Sequence, residues 1–378
     1  MSSSLVLPSY GEGCLSDLLP SVLAALGVDG ETDVVGLPPA HAYVVLLVDG
    51  LGWRQLRRFA HLAPFLATLP GRSLTSPVPS TTATSITSLG TGLPPGRHGL
   101  VGYQSRLPGT TALLNALDWD PSVDPVTYQP YLDMFTRARA AGIATAVVSK
   151  RRFARSGLTR VALSGAPYRP ADTTGERVAA VEDVLRAARG SPALVYAYES
   201  DLDGTGHRHG TSAPAWQHQL AATDALAQQL AEAMEPECVL LVTGDHGMVD
   251  VVPDDQIDLD AIPALRQDVI LIGGEARMRH VYTRAGAADE VADTWARSLG
   301  ERVLVRTREQ AQQEGWFGPV EDRVRERIGD VLVAGLGHSV CLVPSVWPRE
   351  TRMRGHHGSL TDEEMLVPCL LAGGGSAG

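Results

Sequence analysis

A doubly wound, mostly parallel α/β sheet, with helices on both faces and a small α+β insertion, is the fold this sequence predicts. Three observations predict it. Four short runs are almost wholly apolar: YVVLLV at 43–48, ATAVV at 144–148, ALVYAY at 193–198 and VLLVT at 239–243. Runs of that length suit strands covered on both faces, as the strands of a parallel sheet are. Between them, the stretches at 130–141, 175–188 and 216–234 carry apolar residues at helical spacing, and strand–helix alternation marks a sheet wound on both sides. The third observation is positional. Asp49, Asp203 and Asp245 each follow one of the apolar runs. Open α/β sheets bind ligands beyond the carboxyl ends of their strands, so the three acids are expected to converge on one rim.

The 378 residues exceed the usual size of a single domain. Residues 1–252 and 338–378 read as the core. From 253 to 337 Arg and Glu become frequent, and 280–283, 288–299 and 302–306 suggest an inserted β-α-β unit. Such an insertion is expected to cap the site and shape substrate choice. The tail, AGGGSAG, reads as a flexible end.

A formal charge of −11 and a pI near 5.5 argue against a nucleic-acid polymer as partner, because such binding draws on Lys and Arg to neutralise phosphates. A small phosphate ester can still bind an acidic chain if cations supply the local positive charge. The start, MSSSLVLPSYGEG, lacks the basic and apolar regions of a secretory signal. No apolar run approaches the roughly 18 residues that span a bilayer, so no membrane association is expected and a cytoplasmic location is the default. Cys14, Cys238, Cys341 and Cys369 show no CxxC spacing and read as small buried apolar groups.

The acid and histidine residues fall into spaced pairs. Asp203 and His207 stand four apart in YESDLDGTGHRHG, and Asp245 and His246 are adjacent in LLVTGDHGM. Asp49 closes VVLLVDG, and His357 sits in RGHHGSL beside His356. Carboxylate and imidazole together suit Zn²⁺ and its first-row neighbours. Each motif alone has a plainer reading. Asp203 and His207 share a face if the segment is helical, but Gly204 and Gly206 suggest a loop, wrapped round an ion or merely polar. Asp245 could cap a helix, and Asp49-Gly50 could be only a turn. The hydroxyl-rich stretch after Pro79 could be a loop feeding a helix. Hydroxyls there become nucleophiles only if a base or a metal lowers their pKa.

In order along the chain, VVLLVDGLG, PSTTATSITSLGTGLPPGRHG, DLDGTGHRHG, TGDHGM and GHHG resemble the motifs of the alkaline phosphatase superfamily. The match is to its nucleotide pyrophosphatase/phosphodiesterase-like branch. It covers most of the chain, but 253–337 carries no matching motif. The resemblance implies an alkaline-phosphatase-like core and two divalent metal ions, zinc first and manganese second. One ion falls to Asp49, Asp245 and His246, with the hydroxyl of Thr82 as a further ligand. The other falls to Asp203, His207 and His357, the G-x-H-G pattern selecting His357 over His356. Nine positions before the TG of LGTGLPP, the nucleophile is Thr82 rather than Thr81. Its alkoxide attacks phosphorus, the ester alcohol leaves, and water hydrolyses the phosphothreonine.

The chain departs from the family at Thr84 and Ser85, where Pro-Asn is frequent, and at Tyr103. Relatives usually carry an Asn there that donates to a phosphate oxygen. A phenol can also donate, but its longer reach implies a different pocket. Asp201, His98 and His209 match no ligand position and read as supporting groups, with His209 able to orient His207. The expected activity is hydrolysis of a small-molecule phosphodiester or pyrophosphate, with monoesters and phosphonates as alternatives. A mutase with a serine nucleophile fits PSTTATS poorly, and no C/S-x-P-x-R pattern of a sulfatase occurs. A silent metal-binding protein is the reading outside enzymes.

Overall fold

Four strands, Ala42–Val48, Ala144–Ser149, Ala193–Glu199 and Cys238–Gly244, grow from the four apolar runs. In the computed structural model, which describes residues 4–373, they lie in one seven-stranded sheet. Its order is Gly71–Thr75, Leu366–Gly373, Cys238–Gly244, Ala42–Val48, Ala193–Glu199, Ala144–Ser149, Tyr168–Pro170. Every neighbouring pair is parallel except those made by Leu366–Gly373, which runs antiparallel to both its partners. The tail beyond 373 lies outside the described residues.

The alternation of side chains across a strand divides the core in two. Tyr43, Val45 and Leu47 join one apolar cluster, and Val44, Leu46 and Val48 join the other. Helices cover both. Thr82–Thr91 and Met134–Ala140 pack on the first face through Ala83, Ile86, Leu89, Met134 and Phe135. Thr174–Ala187 and Pro214–Glu232 pack on the second through Val181, Trp216 and Leu220. The helix expected over 130–141 begins only at Met134. Pro130 lacks a backbone donor, and Asp133 caps the later start by accepting from Thr136 N at 2.7 Å.

The insertion is richer than a β-α-β unit. Val269–Glu275, Met278–Thr283, Val331–Gly335 and Val303–Thr307 form a four-stranded antiparallel sheet in that order. The helix Ala288–Leu299 packs on it through Val291, Trp295 and Leu299. The strand Gln256–Asp258 pairs with Val340–Leu342, so hydrogen bonding crosses the expected boundary at 337. Glu275 and Ala276, at the turn of this sheet, line one cavity with Thr82 and Asp203. All four cysteines are buried and unpaired. No helix among the described residues is long and apolar enough to cross a membrane.

Candidate active site and metal centre

Strand register builds the rim. Val48 lies opposite Glu199 on one side and Gly244 on the other, so three strands end level and their next residues meet. The Asp49 amide donates to Glu199 O at 2.8 Å, and the Gly50 amide donates to Asp245 Oδ1 at 3.0 Å. Gly50 has φ 75°, and a Cβ there would lie 3.0 Å from Asp203 Cα. The Asp-Gly is therefore both a turn and a site: only glycine admits Asp203 so close.

Asp203 and His207 lie on the helix Asp201–His209, not in a loop. The glycines that suggested a loop have another cause. A Cβ on Gly206 would fall 2.3 Å from Met248 Sδ, so glycine lets the Met248 side chain pack directly on this helix. Asp203 and His207 share its face, with His207 Nε2 3.3 Å from Asp203 Oδ2. His357 joins them from the far end of the chain, its Nε2 3.3 Å from His207 Nε2 and 3.8 Å from Asp203 Oδ1. The second group is Asp49, Asp245 and His246, with His246 Nε2 3.5 Å from Asp49 Oδ1 and 3.4 Å from Asp245 Oδ2. Within each group the potential ligand atoms all lie within 4.8 Å of one another. His356 belongs to neither.

The three imidazoles share one arrangement. His207 Nδ1 meets Gly355 O at 2.8 Å, His246 Nδ1 meets Gly247 O at 2.9 Å, and His357 Nδ1 meets Ser80 O at 3.0 Å. A carbonyl can only accept, so each Nδ1 carries the proton and each Nε2 presents its lone pair to the acids. This is how ligating histidines are commonly oriented. The orienting partner of His207 is thus Gly355, not His209, which is exposed. Asp245 Oδ2 and Asp203 Oδ1, one in each group, are buried without a hydrogen-bond partner among the described residues, as an oxygen reserved for a cation would be. The residues fit two divalent ions.

Electrostatics point the same way. Burial, then the Asp245 and Asp203 carboxylates, push Asp49 well above the usual carboxylate range, and burial pushes Asp245 up too. Burial, then His246 and His207, hold His357 well below the ordinary histidine value. Buried acids crowded together call for a cation to offset their charge.

Thr82 is the first residue of the buried helix Thr82–Thr91. Its Oγ1 lies 3.4 Å from Asp49 Oδ1 and 3.3 Å from His246 Nε2. Its neighbour Thr81 is the N-cap. The first-turn amides of a helix lack intrahelical acceptors and favour negative charge. Two cavities meet at this point, and both are bordered by Thr82 and Asp203. The narrower, about 270 Å³, has apolar walls that include Ile86, Leu158 and Phe153. The wider, about 600 Å³, is bordered by Tyr103, Glu275, Trp347 and Glu350.

Tyr103 does border the wider cavity, but its hydroxyl is engaged. It donates to Glu350 Oε1 at 2.9 Å, and Glu350 is in turn paired with the fully buried Arg279. The expectation that this phenol donates to a phosphate oxygen therefore meets a different arrangement, in which Glu350 takes the proton donor. Asp201 pairs with Lys150. His98 bridges Ser88 Oγ and the Leu100 amide inside the core.

Sequence reasoning missed four residues. Tyr198 donates its hydroxyl to Asp49 Oδ2, and its place at the end of an apolar run was the available signal. Glu275 accepts from the Tyr103 amide at 2.7 Å while burial pushes its carboxyl up to about 7. Neither Glu275 nor Glu350 follows a motif, and Arg152, in the narrower cavity, follows none either.

This pairing of a strand-end rim with two acid–histidine groups defines the class. Residues 43–360 match the profile of type I phosphodiesterase / nucleotide pyrophosphatase, and the chain belongs to that family, a branch of the alkaline phosphatase superfamily. The sheet and helices match the fold of murine ectonucleotide pyrophosphatase/phosphodiesterase 5, solved as an inactive threonine-to-alanine variant in complex with AMP. The two chains share 18% identity at a TM-score of 0.69, with 88% of each covered. Phosphonoacetate hydrolase from Sinorhizobium meliloti 1021, solved in complex with phosphonoformate, shares 20% identity at a TM-score of 0.66. There 89% of this chain and 91% of the other are covered. No curated protein sequence matches the chain.

Proposed function

We propose that this phosphoester hydrolase cleaves phosphodiesters or pyrophosphates with Thr82 as nucleophile, through a phosphothreonine intermediate and with two divalent cations, zinc first. One observation carries the reading: Thr82 Oγ1 touches the Asp49–Asp245–His246 group at the mouth shared by two cavities. A diester or pyrophosphate has a substituent for each cavity, whereas a monoester would leave one unused. The murine relative, captured with AMP as an inactive threonine-to-alanine variant, supports both the threonine and the substrate class.

Cations held by the two groups supply charge neutralisation on both sides of an in-line displacement and lower the pKa of a hydroxyl beside them. The remaining roles fall to the chain. Asp49, Asp245 and His246 would hold the first ion, next to Thr82, and Asp203, His207 and His357 would hold the second. The Thr82 hydroxyl directs its proton at Asp49 Oδ1, and its oxygen attacks phosphorus. The helix N-terminus favours the negative charge that develops there. As the P–O bond to the leaving alcohol breaks, that alcohol departs into the other cavity, and water then cleaves the Thr82 ester. Tyr103 and Trp347 shape the wider cavity. The inserted sheet serves as the cap.

Hydrolysis of a phosphonate is the second reading, favoured by the fold shared with a phosphonoacetate hydrolase. We also place the protein in the cytoplasm, a location supported by four unpaired, buried cysteines. The test is turnover of bis(p-nitrophenyl) phosphate, p-nitrophenyl phosphate and a phosphonate ester with zinc and with manganese. The diester should be the best substrate. A metal-loaded protein inert on all three would end the hydrolase reading.

A further inference from the structure

Among the described side chains bordering the narrower cavity, one Arg has no acid to answer it. The run Lys150-Arg151-Arg152 leaves the carboxyl end of the strand Ala144–Ser149, on the same rim as the metal-binding acids. Lys150 is paired with Asp201, and Arg151 with Asp172 at 3.6 Å. Arg152 forms no ion pair among the described residues, and its side chain makes only a 3.5 Å contact to Ser200 Oγ. Its guanidinium lies over the Phe153 ring, 4.6 Å from the centroid. Phe153 meets Tyr198 edge-on at 5.8 Å, and Tyr198 donates to Asp49. Arg152 is exposed, and this stack sets it on the border of the narrower cavity, which Thr82, Asp49 and Asp203 also line.

We propose that Arg152 sets the substrate class of the narrower cavity, by receiving a second anionic group carried on the non-leaving substituent of the ester. The inference rests on the reading of the chain as a diester hydrolase with Thr82 as nucleophile. A planar guanidinium stacked by its face keeps its N–H edge free, and that fork matches a carboxylate or a phosphoryl group with two parallel hydrogen bonds. In a chain of net charge −11, an unanswered cation on the cavity that Thr82 borders selects for substrates that are anionic at two points. It selects against those with an ammonium group in that position.

The test uses three p-nitrophenyl phosphodiesters whose second substituent is ethyl, 2-carboxyethyl or 2-phosphonoethyl, with the zinc- or manganese-loaded protein. The wild-type kcat/KM should favour at least one anionic substrate over the ethyl ester by about tenfold, equivalent to about 1.4 kcal/mol. Whichever anionic arm is preferred identifies the source of the charge. Arg152→Ala should bring the ratio near one, Arg152→Lys should keep part of it, and Arg152→Glu should invert it. Arg151→Ala, on the paired neighbour, should leave the ratio unchanged. Turnover of all three with a ratio near one, or a ratio that survives Arg152→Ala, would overturn the proposal alone. No turnover of any of the three would remove the diester reading and the proposal with it.

Discussion

Asp49, Asp245 and His246 hang from the ends of two adjacent strands and are wholly buried, whereas Asp203 and His207 stand one turn apart on a helix, meet His357 from a distant segment and stay half-buried. The first group is set by the hydrogen-bond ladder of the main sheet, so it is fixed once the core has folded. The second is assembled by packing a helix against a late segment, through contacts such as His207 Nδ1 to Gly355 O. The difference suits a division of labour. A rigid, dry group can hold and activate a nucleophile, while a more open one can admit water and release a leaving alcohol.

The sharpest way to break this comparison is at Thr82. Thr82→Ala should lower turnover by about a thousandfold or more while metal content stays nearly unchanged, and Thr81→Ala should not. If Thr81→Ala is the inactive variant, the register is off by one. The next effect concerns the ions. His357→Ala should reduce bound metal by about one equivalent, read by elemental analysis, and His356→Ala should not. A chelator titration should be biphasic, with the half-buried group giving up its ion first. A single phase would deny that the groups differ.

Tyr198→Phe should sharpen the comparison from the buried side. Losing the donor to Asp49 should weaken only the tighter phase of that titration, by about tenfold to a hundredfold. The smallest effect concerns Glu275, whose folded pKa of about 7 lies above its ordinary value. A carboxyl raised by burial lends stability that is lost as pH rises through the folded value. Metal-free Glu275→Gln should therefore gain thermal stability relative to wild type as pH climbs from about 5 to 8. The gain is on the order of 3 kcal/mol at most. A pH-independent difference would contradict it.

Much of this was legible because strands buried on both faces announce themselves as apolar runs, and each rim acid follows such a run. The helix at Asp201–His209 was ambiguous, since Gly204 and Gly206 look like loop residues until Met248 is seen against Gly206. The carbonyls that orient the three histidines, the Tyr103–Glu350–Arg279 chain and the isolation of Arg152 all join segments remote in sequence. No spacing rule reports such contacts. The four-stranded insertion was half-legible: its helix and two strands follow periodicity, but Val269–Glu275 ends in glycines that read as turn.

The stereochemical course at phosphorus is the direct test of the covalent step at Thr82. The metal-loaded protein would transfer a P-chiral phosphodiester analogue to methanol, and the configuration of the product would be assigned. Two in-line displacements, one by Thr82 and one by the acceptor, predict retention. Inversion would mean direct attack by the acceptor and would contradict the nucleophile assigned to Thr82.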